Sequence, residues 1–182
     1  MLDMKRRILV DMDGVLVDIY TTFFEMHEKE TGEKLTMEDI TGLLEAEAFK
    51  NQRKWVSTPG FFRDLPIMPG SREVLKNLIK YYEIIIVSMA TEFPNCLTDK
   101  ILWLRDNFPF IGWKQIVFCG NKNIIEADIM IDDHFKNLDN FKGRTILFTQ
   151  PHNILTKDTP HARVSSWEEI EKLLLPVRKK EL

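Results

Sequence analysis

The sequence predicts an α/β protein in which a doubly wound parallel sheet carries a small helical cap inserted after the first strand. Three observations predict it. Short apolar runs rich in β-branched residues recur along the chain, as strands buried on both faces of a parallel sheet require. Helical patterns separate these runs, and strands alternating with helices imply right-handed crossovers. Between residues 19 and 66, however, only helical patterns appear and no strand alternation does. The expected division is therefore a core of residues 1–18 and 67–182 with a helical cap of residues 19–66.

The first strand is the run Ile8 to Val10, which delivers Asp11 and Asp13 at its carboxyl end, where chemistry in open α/β sheets sits. The i, i+2 spacing aims both carboxylates, or one carboxylate and the intervening backbone, at a single point. Gly14 allows a sharp turn just beyond. Such a cluster attracts a hard cation, but it is not a calcium loop of the EF-hand type: that loop needs its glycine sixth and a glutamate twelfth, and Gly14 stands fourth.

Asp18 can cap a helix running through Ile19–His27 and ending near Gly32. Two shorter helices are expected next, from Thr36 to Leu44 and from Ala46 to Val56, before the break at Ser57-Thr58-Pro59-Gly60. Pro69-Gly70-Ser71 opens a helix through Val74, Leu75, Leu78 and Ile79. Glu83–Ser88 reads as a central strand, which puts Ser88 on the same sheet edge as Asp11. A helix from Leu97 to Asn107 leads to a short strand at Gln115–Phe118, with Lys122 just after it. The run Ile129–Ile131 ends in Asp132-Asp133, and Thr145–Phe148 is the fifth strand. The last helix opens with the capping box Ser166-Trp167-Glu168-Glu169 and carries Ile170, Leu173 and Leu174 on one face, with Lys179 and Lys180 as a frayed tail.

Composition narrows the function. The chain has 182 residues, 44% hydrophobic and 29% charged, which suits one ordinary core with a small insertion. Its net charge is −3, from 25 basic and 28 acidic residues, so no global basic field exists for long nucleic acid. A small phosphorylated substrate stays compatible, because a metal and a lysine meet its charge locally. Cys96 and Cys119 form neither a disulfide framework nor a zinc spacing and read as thiols of a reducing cytosol. The sequence shows no transmembrane run and no signal peptide, which gives a cytoplasmic location and no membrane partner. Lys5-Arg6-Arg7 reads as solvated residues at a strand end. The oligomeric state is open, a homodimer included.

Asp11-Met12-Asp13-Gly14-Val15-Leu16 after a hydrophobic strand resembles the first motif of the haloacid dehalogenase-like phosphohydrolases, a Rossmann-like fold. Alone, the motif also fits a turn with solvated acids. The partners that superfamily requires follow in order: Ser88, then Lys122, then Asp132-Asp133. Within it the chain is most similar to the 5'(3')-deoxyribonucleotidases, nearly end to end. The likeness rests on Gly60-Phe61-Phe62-Arg63-Asp64-Leu65-Pro66 with Pro69-Gly70, Gln115-Ile116-Val117, Ala127–Asp133, Leu147-Phe148-Thr149 with His152-Asn153, and Ser166-Trp167.

The resemblance implies a magnesium-dependent phosphatase for (deoxy)ribonucleoside monophosphates. Asp11 would attack phosphorus and form an aspartyl-phosphate; Asp13 would protonate the leaving oxygen and then deprotonate water. Ser88, with the backbone amides of Met89 and Ala90, would hold the phosphoryl oxygens, and Lys122 would bridge Asp11 and the phosphate. Mg2+ would be held by the Asp11 carboxylate, the Asp13 carbonyl and Asp133, with Asp132 behind them or as the alternative ligand. Read alone, Asp132-Asp133 is also a plausible helix N-cap.

Candidates for contact with the base are Ile19, Trp55 and Phe61, with Phe62 beside them, although packing inside the cap explains the aromatics as well. Mammalian members of the family have an aromatic residue where this chain has Ile19, and an arginine where it has Gly120. Both changes leave the base preference open. His27, His134, His152 and His161 show no metal-ligand spacing and read as structural or surface residues. Two other functions compete: a phosphatase of the same type for another phosphomonoester such as a sugar phosphate, and a non-catalytic binding module on the same fold. The second would require the loss of a catalytic carboxylate, and none is lost.

Overall fold

The computed structural model describes residues 5–175. Strand β1 (Arg7–Asp11) is buried from Ile8 onward and lies between β2 (Glu83–Ser88) and β4 (Ile129–Asp132). Beyond β2 lies β3 (Ile116–Phe118); beyond β4 lie β5 (Arg144–Phe148) and then β6 (Ala162–Val164). The six strands are parallel, in the order β3-β2-β1-β4-β5-β6. The chain winds outward from β1 first to one side and then to the other, so the order reverses at β1 and leaves a crevice at its carboxyl end. Register aligns Val10 with Ile131 and Asp11 with Val87, so Asp132 stands level with Asp11 and Ser88 one step beyond. The sequence does not show the sixth strand, because Ala162-Arg163-Val164 is too short for a period to emerge.

Alternate residues of the strands feed two cores. Ile8, Val10, Ile84, Ile86, Ile129 and Ile131 pack against α4 (Ser71–Leu78), α5 (Leu97–Asn107) and α7 (Trp167–Leu174). Leu9, Val87, Met130 and Leu147 face the other way, against α6 (Phe135–Leu138) and the loop after β3. At the start of α7 the Ser166 hydroxyl accepts from the Glu169 amide at 3.3 Å, while the Glu169 carboxylate reaches back past it to the Ser165 amide at 2.6 Å. Trp167, Ile170 and Leu174 are its buried residues; Leu173, expected among them, is 37% exposed. Lys5 and Arg7 bind the Ile79 carbonyl and Glu83 at the surface, as solvated strand-end residues do. Lys179 and Lys180 lie outside the described residues.

The segment inserted between β1 and α4 contains α1 (Ile19–Thr31), α2 (Glu45–Ala48) and α3 (Gln52–Val56). The Asp18 carboxylate accepts from the Thr21 amide, and Gly32 ends α1 at φ 76°, a conformation glycine adopts without strain. Phe23, Phe49, Trp55 and Phe61 interlock with ring centroids 5.3–6.2 Å apart and form the interior of the insertion. Two expectations fail here. Residues 36–44 form turns instead of a helix: Asp39 accepts from the Thr36 amide and hydroxyl, and Gly42 sits at φ 84°. The expected helix from Ala46 to Val56 is two helices, because the buried Phe49 takes an extended conformation to reach the aromatic cluster. No helix among the described residues is long and apolar enough to cross a membrane.

Candidate active site

The fold brings Asp11, Asp13, Ser88, Lys122, Asp132 and Asp133 to one sheet edge. Asp11 closes β1 and is 6% exposed. Lys122, in the short 3-10 turn after β3, is buried too, and its Nζ lies 2.5 Å from Asp11 Oδ1 and 2.6 Å from Asp132 Oδ2. Asp132 is otherwise satisfied by the protein, accepting from the Asn137 amide group and the His134 backbone amide, each at 2.9 Å.

Asp133 differs. It is 2% exposed and its Oδ1 has no hydrogen-bond partner. Its carboxylate packs against Gly14, which lies at φ 77° and whose missing Cβ would collide with Asp133 Oδ2. Asp13 Oδ1 is likewise buried without a partner. Oxygens of Asp11, Asp132 and Asp133 lie within 4.8 Å of one another.

Three carboxylates around one ammonium carry a surplus of negative charge in a place water scarcely reaches. Burial, with Asp132 and Asp13 nearby, pushes the Asp11 carboxyl up to about 8 against the pull of Lys122. Burial and the charges of Asp132 and Glu45 push Asp133 up to about 8 as well, against the pull of His152. Burial works against the Lys122 charge, but Asp11 and Asp132 more than offset it and raise its pKa. Oxygen donors, surplus charge and an orphaned buried oxygen suit a hard divalent cation.

Lys100 completes the edge. It lies on α5, 1% exposed; its ammonium pairs with Asp13 Oδ2, donates to Ser88 Oγ at 3.2 Å and sits 4.2 Å from the Phe62 ring centroid. Sequence reasoning missed it, although a signal existed. Cys96, Lys100, Trp103 and Leu104 follow i, i+4, i+7, i+8 spacing, so the lysine stands inside the buried stripe of the helix.

A cleft opens opposite this edge. Ile19 and Met89 line it, with Phe23, Val56 and Phe62 forming its apolar wall. Trp55 and Phe61, expected as base contacts, are not among its lining residues. Trp55 is 2% exposed, packs on Phe23 and Phe49, and donates from Nε1 to Glu30 at 3.0 Å; Phe61 stacks on Phe23.

Two of the histidines also stand differently from expectation. His134 and His152 stack with centroids 4.3 Å apart, and together with Glu45 and Asp133 they present ligand-type atoms within 4.8 Å of one another. Nothing in their spacing shows this, because Glu45 comes from the insertion and His152 from the loop after β5. Burial opposes charge on both Glu45 and His152. Their mutual hydrogen bond, with His134 also acting on Glu45 and Asp133 on His152, brings Glu45 down to about 2 and His152 up to about 9. His161 bonds to Thr145 and Asp139, a structural role, and His27, half-buried, packs on Phe49 and faces Glu33. Cys96 and Cys119 are buried free thiols.

The family model described as "5' nucleotidase, deoxy (Pyrimidine), cytosolic type C protein" matches residues 5–182. The 5'(3')-deoxyribonucleotidase of Bacillus subtilis is 41% identical over 175 residues, 94% of this chain and 100% of that one. The chain belongs to the 5'(3')-deoxyribonucleotidase family. It is a phosphoric monoester hydrolase of that type. Solved structures at lower identity show the same fold. The HAD-hydrolase YfnB of Bacillus subtilis, bound to magnesium, superposes with TM-score 0.58 at 14% identity, covering 96% of this chain and 100% of that one. A HAD family hydrolase of Deinococcus radiodurans with bound phosphate and sodium gives 0.55 at 19% identity, covering 94% and 98%.

Proposed function

We propose that this deoxyribonucleotidase is a magnesium-dependent phosphatase of deoxyribonucleoside and ribonucleoside monophosphates that works through an aspartyl-phosphate. The observation that carries this is the convergence of two buried ammonium groups, Lys100 and Lys122, and two partnerless buried carboxylate oxygens, on Asp13 and Asp133, at the edge facing the cleft. Phosphate monoesters resist attack because the dianion repels nucleophiles and the alkoxide leaves poorly, so charge must be neutralised and the leaving oxygen protonated.

Asp11 attacks phosphorus in line with the leaving oxygen, held in position by Lys122 on its Oδ1. The P–O bond to the nucleoside breaks as Asp13 gives its proton to that oxygen. Lys100 pairs with Asp13 Oδ2, so Oδ1, which has no protein partner, is the oxygen left for the transfer. Asp13 then takes a proton from water, whose oxygen attacks the phosphoryl group, frees Asp11 and releases inorganic phosphate. Ser88 and Lys100 hold the phosphoryl oxygens, with the backbone at Met89 beside them. Asp11, the Asp13 carbonyl and Asp133 would hold Mg2+, while Asp132, saturated by Lys122 and Asn137, stands behind. When bound, the ion supplies charge neutralisation at the transferring phosphoryl group. We assign residues 19–66 to a cap that encloses the nucleoside, on a core of 1–18 and 67–182, and place the enzyme in the cytoplasm in keeping with its free thiols.

Phosphate release from nucleoside monophosphates, sugar phosphates and an aryl phosphate, with and without Mg2+, tests the substrate class. Intact mass of acid-quenched enzyme tests the intermediate: wild type gains a phosphoryl group and Asp11→Asn does not. Preference for a sugar phosphate would overturn the substrate reading, and full turnover by Asp11→Asn would overturn the mechanism.

A further inference from the structure

The loop from Gln150 to Asn153 has no place in the chemistry above, yet it touches Gly14, the Asp133 backbone and the insertion at once. The Gln150 side chain donates to the Gly14 carbonyl at 2.5 Å. Pro151 accepts from the Gly42 amide of the cap at 2.8 Å. The Asp133 main-chain carbonyl takes two donors from the loop, His152 Nε2 and Asn153 Nδ2, each at 2.9 Å. Asn153 is itself fixed to the core, since its Oδ1 accepts from Arg163 at 2.9 Å and its amide group donates to the Phe148 carbonyl at 2.8 Å.

His152 reaches the other way too. A carbonyl only accepts, so Nε2 carries a proton, and the opposite ring atom, Nδ1, lies 3.2 Å from Glu45 Oε1 and 3.0 Å from the Tyr20 hydroxyl. Tyr20 also donates to Glu45 Oε1, at 2.7 Å. Both Tyr20 and Glu45 belong to the cap, and the His152 side chain between them and Asp133 is 3% exposed. One imidazole thus joins the cap to the backbone of Asp133.

We propose that His152 is a positioning residue that fixes Asp133 for Mg2+ and couples the ion to the cap, so that ion binding and cap closure strengthen each other. This rests on the reading of Asp133 as a Mg2+ ligand. Coupling of this kind is reciprocal: whatever cap closure adds to ion affinity, the ion adds to cap closure. Groups behind a metal ligand that set its orientation affect ion affinity by about 10- to 100-fold.

Two substitutions separate the halves of the link. The amide nitrogen of glutamine reaches about as far as Nε2 and that of asparagine about as far as Nδ1. His152→Gln therefore keeps the contact to Asp133 and loses the cap, whereas His152→Asn keeps the cap and loses Asp133. The experiment uses the metal-stripped full chain without substrate: calorimetric titration with magnesium chloride, and limited proteolysis of the cap turns at residues 36–44 with and without Mg2+. In the wild type, Mg2+ should slow cleavage of the cap. His152→Asn should weaken Mg2+ binding about 10-fold or more. His152→Gln should bind Mg2+ within a few-fold of wild type but lose its protection of the cap. Asp133→Asn is the control for the underlying reading, and unchanged Mg2+ binding there overturns that reading and this inference with it. If Asp133→Asn abolishes binding while His152→Asn binds Mg2+ as wild type does, only the inference falls. Retained Mg2+ protection of the cap in His152→Gln overturns the coupling. A purely structural role for His152 would lower melting temperature and leave both readouts alone.

Discussion

Replacing Lys100 with methionine removes the ammonium while keeping most of the length and volume of the side chain. Lys100 is 1% exposed, and the groups it serves are Asp13 and Ser88. Removing one partner of a fully buried ion pair costs about 3–5 kcal/mol, because the other charge is stranded. Asp13, however, is 33% exposed at its side chain and can recover water, so the stranding penalty is largely relieved. The thioether then lies against the Phe62 ring that now faces the ammonium, a favourable contact in itself. Stability should therefore hold to within about 1 kcal/mol, or roughly 2–4 °C in melting temperature for a chain of this size. Activity should not hold. A hydrogen bond from a charged donor to the phosphoryl group is worth about 1.5–3 kcal/mol, or roughly 10- to 150-fold in kcat/KM. Steady-state kinetics on a deoxyribonucleoside monophosphate, run beside thermal melts, reads both quantities. Wild-type kcat/KM in Lys100→Met, or an activity loss matched by a collapse in melting temperature, would refute the placement of this ammonium in the chemistry.

Trp55→Ala should remove about 3–5 kcal/mol from the cap interior and depress every substrate together, whereas Phe62→Ala, at the cleft wall, should depress nucleotides more than a small aryl phosphate. Melting curves and a substrate panel distinguish them, and identical profiles for the two would contradict the assignment of wall and interior. Gly14→Ala should cost about 1–2 kcal/mol in backbone strain and, by displacing the Asp133 carboxylate, weaken Mg2+ binding; calorimetric affinity equal to wild type would show that the carboxylate can move aside freely. Burial raises Asp11 and Asp133 to about 8, so the folded metal-free protein keeps protons that unfolded carboxylates release near pH 4. Its stability should therefore fall as pH rises between those values, and the stabilisation given by Mg2+, which displaces those protons, should grow toward pH 8. Melts at pH 6 and pH 8 with and without Mg2+ test this, and a larger Mg2+ effect at pH 6 would contradict it.

The strand ends were legible in the sequence because burial on both faces writes a continuous apolar run, and a polar residue at its end marks the sheet edge. Asp11, Ser88 and Asp132 all declare themselves in this way. Lys100 did not, since a lysine in a helix normally reads as solvated, and only its place in an otherwise apolar stripe marks it. The union of Tyr20, Glu45 and His152 leaves no local trace at all: the contact from Tyr20 to His152 spans 132 positions, and no periodicity encodes it. The turns at 36–44 were hidden for a different reason. Helical spacing there competes with the Thr36–Asp39 bonds and the positive φ of Gly42, and side-chain hydrogen bonding of this kind wins where little apolar surface is buried.

Register gives the reaction its gauge. Neighbouring strands of a sheet stand about 4.8 Å apart, a spacing set by backbone hydrogen bonds and indifferent to side chains. Asp11 and Asp132 sit level on adjacent strands, and Ser88 one step farther on the opposite neighbour. In the proposed reaction the nucleophile, the hydrogen-bond donor to the phosphoryl group and the carboxylate that anchors Lys122 are thus spaced by the ladder and not by any flexible loop. A slip of one residue in β2 or β4 would turn Ser88 or Asp132 to the wrong face while costing the sheet its buried side chains, so error in the spacing and loss of the fold arrive together. Drift is therefore penalised before function is tested. The insertion between β1 and α4 stands outside this ladder, and its ties to the site run through side chains instead, Tyr20 and Glu45 to His152 and Phe62 to Lys100.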